Sequence, residues 1–291
     1  MDLEKLNKFK KMAIISLFAD DALADLFVLK GGTALDLIYK INKRSSMDID
    51  VSLKNEFTDD QLDEIQNRLR ESFEMTFEQQ EYHIIDFQLY KRPFHPDKEL
   101  DRDWGGYRIE FKIASDNIYQ KNNGNLKNIR VQSEVVNEKE GRKFQIDISK
   151  FECVDGKQAT DVDGYTVYVY TPKMIIYEKI RAICQQFPGY YINKGHFKKA
   201  RPRDFYDIYS IISNENTDLT FEELDYNTLK AFFDKKKVPM ELIEKIPEYY
   251  DDFYDGLASL TETLTEEAKK DFDFRKCFDF VIDGIKKIPR S

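Results

Sequence analysis

Two aspartates near the start of the chain, Asp48 and Asp50, stand in a segment whose apolar residues alternate strictly with polar ones. Alternation of this kind predicts a β-strand with both carboxylates on the same face. On a strand their Cα atoms would be roughly 7 Å apart, so the carboxylates can converge on divalent ions that bridge the phosphates of a nucleotide. Oxygen ligands of this kind favour Mg²⁺ over Zn²⁺. The alternative interpretation is a strand whose aspartates are simply solvated.

A glycine-rich turn precedes this strand. Gly31, Gly32 and Thr33 follow a short apolar run, and apolar residues at helical spacing come after them. The order predicts a buried strand, a turn and a helix with Thr33 as its N-cap. The glycines let the backbone approach a ligand closely, and the helix start offers N–H groups and a positive dipole end. The segment therefore suits a phosphate, although a Gly-Gly pair before a helix is also common as a plain turn.

Two later strands each carry a candidate for a third carboxylate. Asp147 lies between isoleucines in the alternating run 143–149, and Glu110 has a similar apolar context in the run 107–113. A third carboxylate beside the first two would ligate a metal and accept the proton of an attacking hydroxyl. A surface acid on an amphipathic strand is the alternative for both residues.

The composition indicates a folded globular protein, since 41% of the 291 residues are apolar and 34% are charged. No run reaches the roughly 18 apolar residues of a membrane span, and the N-terminal segment lacks the apolar core of a signal peptide. We therefore expect a cytoplasmic protein without membrane association. The three cysteines have no paired spacing for zinc or for disulfides.

The net charge of −9 argues against a protein that coats nucleic acid by charge alone, so any contact with RNA must be local. Residues 171–210 form a basic block, with eight Lys or Arg against three Asp or Glu. A loop in this block suits an RNA backbone and a stacked terminal base, and a solvated loop is the alternative. Its candidate RNA contacts are Lys194, Lys198, Lys199, Arg201 and Arg203, and its aromatic residues are Tyr190, Tyr191 and Phe197.

The periodicity of the sequence changes near residue 170. Strand-like runs dominate before it, whereas residues 173–291 show helical spacing nearly throughout. We therefore expect an α/β (α+β) protein with two domains, residues 1–170 and residues 171–291.

The order G-G-T, ten residues, then R-x-S-x-D-x-D resembles the AbiEii/AbiGii-type nucleotidyltransferases. These are toxins of bacterial toxin–antitoxin and abortive-infection systems within the polymerase-β-like superfamily. Three more motifs match the family: the I-D-I-S run around Asp147, a P-x-x-x-x-x-E-K-x-x-A helix that contains Lys179, and an R-D-x-x-D run that contains Asp204 and Asp207. Asp207, one helical turn after Asp204, is expected to pair with a neighbouring cation or to cap the site.

The resemblance implies a polymerase-β-like mixed sheet with flanking helices in residues 1–170 and a helical domain that completes the active-site cleft. It favours Asp147 over Glu110 as the third carboxylate, and it implies that Lys179 binds the triphosphate. The implied metal ligands are Asp48, Asp50 and Asp147, and the implied catalytic set adds Lys179 and Asp204. The implied nucleotide-binding residues are Gly31, Gly32, Thr33, Arg44, Ser46 and Lys179.

The implied reaction is nucleotidyl transfer with Mg²⁺ or Mn²⁺. An acceptor hydroxyl attacks the α-phosphate of a nucleoside triphosphate in line, and pyrophosphate leaves. The family suggests an RNA acceptor, the 3′ end of tRNA, with arrest of growth or of phage propagation as the result, and a cognate antitoxin that acts indirectly. Two alternatives stay open: a protein or small-molecule acceptor, and a non-catalytic binding module that keeps the fold.

Overall fold

The computed structural model describes residues 3–41, 44–46, 48–94, 104–136 and 141–290. The strands are β1 (Val28–Lys30), β2 (Ile49–Ser52), β3 (Tyr82–Arg92), β4 (Gly106–Ser115), β5 (Phe144–Ser149), β6 (Gln158–Val162) and β7 (Tyr165–Val169). The first helices are α1 (Leu3–Phe18), α2 (Asp21–Ala24), α3 (Gly31–Thr33), α4 (Asp59–Glu78), α5 (Asp116–Lys121) and α6 (Leu126–Gln132). The later helices are α7 (Pro172–Cys184), α8 (Pro202–Ile212), α9 (Tyr226–Lys235), α10 (Tyr250–Asp255), α11 (Ala258–Thr261), α12 (Glu266–Asp271) and α13 (Phe274–Ile285).

The strands form one mixed sheet in the order β3-β4-β5-β2-β1-β7-β6. β2 pairs with β5 in parallel, as β1 does with β7, whereas β3 with β4, β4 with β5 and β6 with β7 are antiparallel. The predicted α/β class with a mixed sheet and helices is confirmed. The short strand β6 was not predicted from the sequence, and none of its residues is buried.

The chain divides into two compact units. The first comprises Met1–Leu29 and Asp48–Val169, and the second comprises Lys30–Met47 and Tyr170–Ser291. This division differs from a single cut at residue 170, because the segment with the Gly-Gly-Thr turn and Arg44 belongs to the second unit. The reason is chemical: Arg44 forms its ion pair with Asp207 of α8.

Alternating strands build the core of the first unit. Tyr107, Ile109, Phe111 and Ile113 of β4 are all buried, which confirms the face predicted for this strand. Phe111 packs against aromatic residues of α4, β3 and β5, namely Phe73, Phe77, Phe87 and Phe144. Helical spacing in residues 58–73 predicts a helix with Thr58 or Asp59 as its cap, and α4 begins after Thr58 because Thr58 and Gln61 form a capping box.

Helix α7 and the helices after it form the core of the second unit. Thr171 caps α7 and Pro172 occupies its first turn, as the sequence predicts. The predicted apolar stripe of α7 is buried, and it consists of Met174, Ile175, Tyr177, Ile180 and Ile183. In the described part of the chain, no helix is both long enough and apolar enough to cross a membrane.

Candidate active site

Asp50 and Asp147 lie side by side in the sheet of the first unit. β2 and β5 pair in parallel, and their register sets Asp50 opposite Asp147. The residues on either side of each aspartate are buried, so both carboxylates share the more open face of the sheet. Neighbouring strands are about 4.8 Å apart, which places both side chains within reach of one ion.

Asp48 precedes β2 and is exposed. The sequence predicts Asp48 on the same strand as Asp50, but β2 begins only at Ile49, so Asp48 lies outside it. Among the residues that the structure describes, no group of three or more Asp, Glu, His or Cys side chains is arranged to hold a metal ion. The structure therefore brings Asp50 and Asp147 together without gathering Asp48 into a three-ligand set, and the metal-ligand roles of all three stay a prediction.

Arg108 binds the carboxylate of Asp147 directly. The two residues are cross-strand partners in the antiparallel pairing of β4 with β5. Arg108 Nε donates to Asp147 Oδ1 at 2.7 Å, and Arg108 Nη2 donates to Asp147 Oδ2 at 2.9 Å. The Asp147 side chain is 44% exposed and that of Arg108 is 18% exposed. Arg108 was not among the predicted site residues, and its one signal in the sequence is its position on a predicted strand.

Glu110, the competitor of Asp147, lies one strand further from Asp50. It is on β4, whose neighbours are β3 and β5, so it has no register partner on β2. Its carboxylate accepts hydrogen bonds from Gln145 at 3.2 Å and pairs with Lys143 at 2.6 Å. The strand order therefore favours Asp147 as the carboxylate next to Asp50.

The Gly-Gly-Thr segment is helical, and the prediction that Thr33 is an N-cap is wrong. Lys30 is the N-cap, α3 spans Gly31–Thr33, and a π-helical turn over Ala34–Ile38 continues it. Gly31 makes the turn out of β1 with a φ of 72°, a conformation that glycine adopts without strain. The helix therefore begins three residues earlier than the sequence predicts, and Thr33 is buried within it.

Gly32 leaves room for the side chains of Arg44 and Ser46. A Cβ atom at position 32 would lie 2.8 Å from Arg44 Nη2 and 2.9 Å from Ser46 Oγ. Arg44 and Ser46 are themselves buried. The predicted nucleotide-binding residues of the G-G-T and R-x-S motifs thus pack against one another within the second unit.

A buried charge network fixes Arg44. Arg44 Nε and Nη2 donate to the two oxygens of Asp207 at 2.7 and 2.6 Å. Lys179 Nζ lies 2.6 Å from Asp207 Oδ2 and 2.9 Å from Asp204 Oδ1, and Arg201 pairs with Asp204. The prediction that Asp207 pairs with a neighbouring cation is confirmed.

Electrostatics keep this network ionised. Burial alone raises the pKa of Asp207, but Arg44 and Lys179 outweigh burial and hold that pKa well below its ordinary value. Burial lowers the pKa of Lys179, but the negative charges of Asp204 and Asp207 outweigh burial and raise this pKa above its ordinary value. The Lys179 side chain is 4% exposed, so both carboxylates must release it before it can contact a triphosphate.

Two of the five predicted RNA contacts bind protein atoms instead. Arg201 pairs with Asp204, and Arg203 Nε donates to the carbonyl of Ser259 at 2.7 Å. The other three, Lys194, Lys198 and Lys199, are exposed.

Of the three aromatic residues near this loop, one faces solvent. Tyr190 is buried and its hydroxyl donates to the carbonyl of Lys236, and Phe197 stacks on Tyr249. Tyr191 is 47% exposed, so it is the aromatic residue of this loop that a base can reach.

The donor set of the first unit fits a hard divalent cation in type and in register. Asp50 and Asp147 provide carboxylate oxygens on one face of two paired strands, and such oxygens are the ligands that Mg²⁺ and Mn²⁺ prefer. Neither histidine nor cysteine stands at these positions. The arrangement therefore suits phosphate chemistry assisted by a metal, rather than a zinc site.

Residues 15–280 match the family model described as nucleotidyl transferase AbiEii toxin of type IV toxin–antitoxin systems. The chain belongs to the AbiEii family. It is accordingly a nucleotidyltransferase of the toxin class, as predicted, and an enzyme rather than a binding module. Membership also implies a nucleoside triphosphate as substrate and an antitoxin as partner. No curated protein matches the sequence.

Two solved structures are similar to this AbiEii family member. One is the crystal structure of an antigenic nucleotidyltransferase-like protein from Paracoccidioides brasiliensis, with 14% identity, a TM-score of 0.40, and coverage of 87% of this chain and 94% of that chain. The other is MenT4, a nucleotidyltransferase toxin from Mycobacterium tuberculosis, with 11% identity, a TM-score of 0.43, and coverage of 96% and 92%.

Replacing Asp207 by asparagine should destabilise the protein by roughly 3–5 kcal/mol, because it leaves buried cations without their counter-charge. Because folding lowers the pKa of Asp207, its ionised form stabilises the folded protein at pH values above 3.8, the ordinary pKa of the group. This stabilisation is lost as the pH falls below 3.8 towards the lowered pKa. Urea unfolding of Asp207→Asn should therefore show a smaller loss of stability below this pH than the parent protein shows. Asp234→Asn, in an exposed pair with Lys230, is the matched control and should cost less than about 1 kcal/mol. Equal costs for the two variants would contradict the role of the network.

Replacing Gly32 by alanine should cost about 1–3 kcal/mol, because the new Cβ displaces Arg44 from Asp207. Urea unfolding measures this cost, and Gly32→Ala combined with Ser46→Ala tests its origin. The double variant removes the Ser46 Oγ contact and keeps the Arg44 contact. We expect only partial recovery of stability, and a Gly32→Ala protein as stable as its parent would show that the close packing is absent.

Proposed function

We propose that this AbiEii family member is a Mg²⁺-dependent enzyme that transfers a nucleoside monophosphate from a triphosphate to an RNA hydroxyl, with the 3′ end of tRNA as acceptor. The observation that carries the metal dependence is the register of Asp50 against Asp147 on parallel strands. We place the reaction in the cytoplasm, where triphosphates and tRNA are available.

Asp50 and Asp147 would hold the metal, with Asp48 as the third ligand. When bound, a divalent ion neutralises phosphate charge and lowers the pKa of a coordinated hydroxyl. Asp147 has a second role in this proposal. As the half-exposed carboxylate of the pair, it accepts the proton of the acceptor hydroxyl.

The backbone of Gly31, Gly32 and Thr33 would bind the triphosphate. Support comes from the helix start at Gly31, because the first N–H groups of a helix have no acceptor within it and can bind an anion. The burial of Arg44 and Lys179 supports a positioning role: together with Asp207 they fix Ser46 and the Gly-Gly-Thr segment. Direct contact of Arg44 or Lys179 with phosphate, as the family resemblance implies, requires the network to open. Asp204 then serves as the acceptor for Lys179 and Arg201.

An RNA acceptor is supported by the exposed lysines Lys194, Lys198 and Lys199 and by the exposed ring of Tyr191. Lysines attract the phosphate backbone, and a ring can stack on a terminal base. The net charge of −9 and the internal contacts of Arg201 and Arg203 favour a second candidate, a protein or small-molecule hydroxyl. We further propose that the antitoxin acts without binding this chain.

Replacing Asp50 or Asp147 by asparagine should lower the rate of nucleotidyl transfer more than about a hundredfold. The loss should exceed the roughly 10- to 100-fold effect of outer-shell residues, because the substitution removes a metal ligand itself. The measurement is incorporation of label from each α-labelled triphosphate into total cellular RNA with Mg²⁺. Asp161→Asn, at an exposed aspartate of β6 on the same sheet, is the matched control and should retain activity.

Label in a tRNA-sized band with the parent protein would establish the acceptor class. Label in protein or in small products instead would favour the second candidate. Full activity of both Asp50→Asn and Asp147→Asn would contradict the proposed metal site.

Neutralising Lys194, Lys198 and Lys199 together with glutamine should weaken RNA binding and lower its dependence on salt. Each lost phosphate contact should reduce the slope of log affinity against log salt concentration by about 0.7 for a single strand. Binding of labelled RNA at several salt concentrations measures the slope. Glutamine at Lys235, Lys269 and Lys270, three exposed lysines of the same unit, is the matched control and should leave the slope unchanged. Equal slopes for the two triple variants would exclude the loop as the RNA contact.

A further inference from the structure

We propose that Arg108 is an internal cation that occupies Asp147 until a divalent metal displaces it, and that the displaced guanidinium then binds a phosphate of the nucleotide. Arg108 thereby sets the metal affinity of the site and couples metal binding to nucleotide binding. The inference rests on the proposed role of Asp147 as a metal ligand.

The geometry of the pair makes Arg108 a direct competitor of a metal. Arg108 stands opposite Asp147 in the register of β4 and β5, and it donates to both carboxylate oxygens. A divalent ion also needs the lone pairs of these oxygens, at about 2.0–2.1 Å for Mg²⁺. The positive charge of the guanidinium would repel such an ion at this range. Arg108 in this position therefore opposes metal binding at Asp147, and an ion binds there more favourably once Arg108 has moved away.

The exposure of Asp147 makes this exchange feasible. Its side chain is 44% exposed, and ion pairs that water screens contribute little net free energy. Asp50, its neighbour across the parallel pairing, gives an incoming ion a second carboxylate. A divalent ion with two carboxylates thus outcompetes one monovalent guanidinium.

Once displaced, Arg108 remains on the same face of the sheet, one strand away from Asp147. An arginine fork matches phosphate oxygens as well as it matches a carboxylate. A nucleotide that arrives with the metal therefore supplies the anion that Arg108 has lost. Metal and nucleotide should bind cooperatively, because each stabilises the arrangement that the other needs.

A second bidentate pair, between Arg130 of α6 and Asp86 of β3, provides the contrast. Arg130 binds both oxygens of Asp86, with distances from 2.7 to 3.0 Å. Asp86 also accepts from Lys112 and lies at an irregularity of β3, away from β2 and β5. The Arg130 pair therefore has the same chemistry as the Arg108 pair without the neighbouring Asp50.

The test measures Mn²⁺ affinity of the full chain by electron paramagnetic resonance, without nucleotide, and nucleotide affinity at saturating Mg²⁺. Arg108→Gln should bind Mn²⁺ about three- to tenfold more tightly than the parent protein, because a screened pair no longer competes. It should bind the triphosphate more weakly, because a phosphate partner is lost. Arg130→Gln should change neither affinity. A merely structural role of Arg108 would not shift the two affinities in opposite directions.

Arg108→Lys keeps the charge and loses the fork, so it tests the proposal if the glutamine variant does not fold. Its Mn²⁺ affinity should lie above that of the parent protein. Unchanged or weaker Mn²⁺ binding by the folded Arg108 variants would overturn the inference. Asp147→Asn tests the metal role of Asp147 separately from the role of Arg108. If this variant binds Mn²⁺ as tightly as the parent protein, the metal role of Asp147 is overturned, and the inference about Arg108 with it. Loss of Mn²⁺ binding in Asp147→Asn, with no effect of Arg108, overturns the inference alone.

Discussion

Asp207, a carboxylate without solvent contact, determines how the second unit is arranged. A buried charge needs partners, and Asp207 obtains them from Lys179 on α7 and from Arg44, which lies 163 residues earlier in the chain. Such a network costs desolvation free energy, so its contribution is to specify one arrangement more than to stabilise it. The specification extends to Gly32, whose missing side chain is the space that Arg44 and Ser46 occupy. The ion pair of Arg44 with Asp207 and the hydrogen bond of Ser45 with Thr263 join residues 30–47 to the rest of the second unit.

Local signals in the sequence predict local structure well. The capping residues Thr58 and Thr171 and the buried face of β4 follow from side-chain chemistry within a few residues, and the structure has them as predicted. The start of the helix at Gly31 does not follow, because a positive φ at a glycine can precede a helix or begin one. Family motifs identified the candidate residues, but they could not show that Lys179 is buried between two carboxylates.

Long-range pairing decides what the sequence left open. Asp147 and Glu110 have the same apolar context, and periodicity cannot separate them. The order of strands does so, because β5 and not β4 lies beside β2. A parallel pairing requires a connection that runs from one end of the sheet to the other, so it leaves no short-range pattern. Arg108 was not predicted either, because its partner Asp147 is 39 residues away on another strand.

Two aspartates with bidentate arginine partners differ in how readily they can exchange those partners. Asp207 has no exposed side-chain surface, so separating it from Arg44 would strand two charges in a medium that cannot solvate them. Asp147 is 44% exposed, and water can solvate both it and Arg108 while a partner is exchanged. The bidentate geometry is the same in both pairs, but separating the buried Arg44–Asp207 pair costs more free energy than separating the exposed Arg108–Asp147 pair. In the proposed mechanism, a carboxylate that binds a metal and then takes up a proton has to change partners, and the exposure of Asp147 permits this exchange whereas the burial of Asp207 does not.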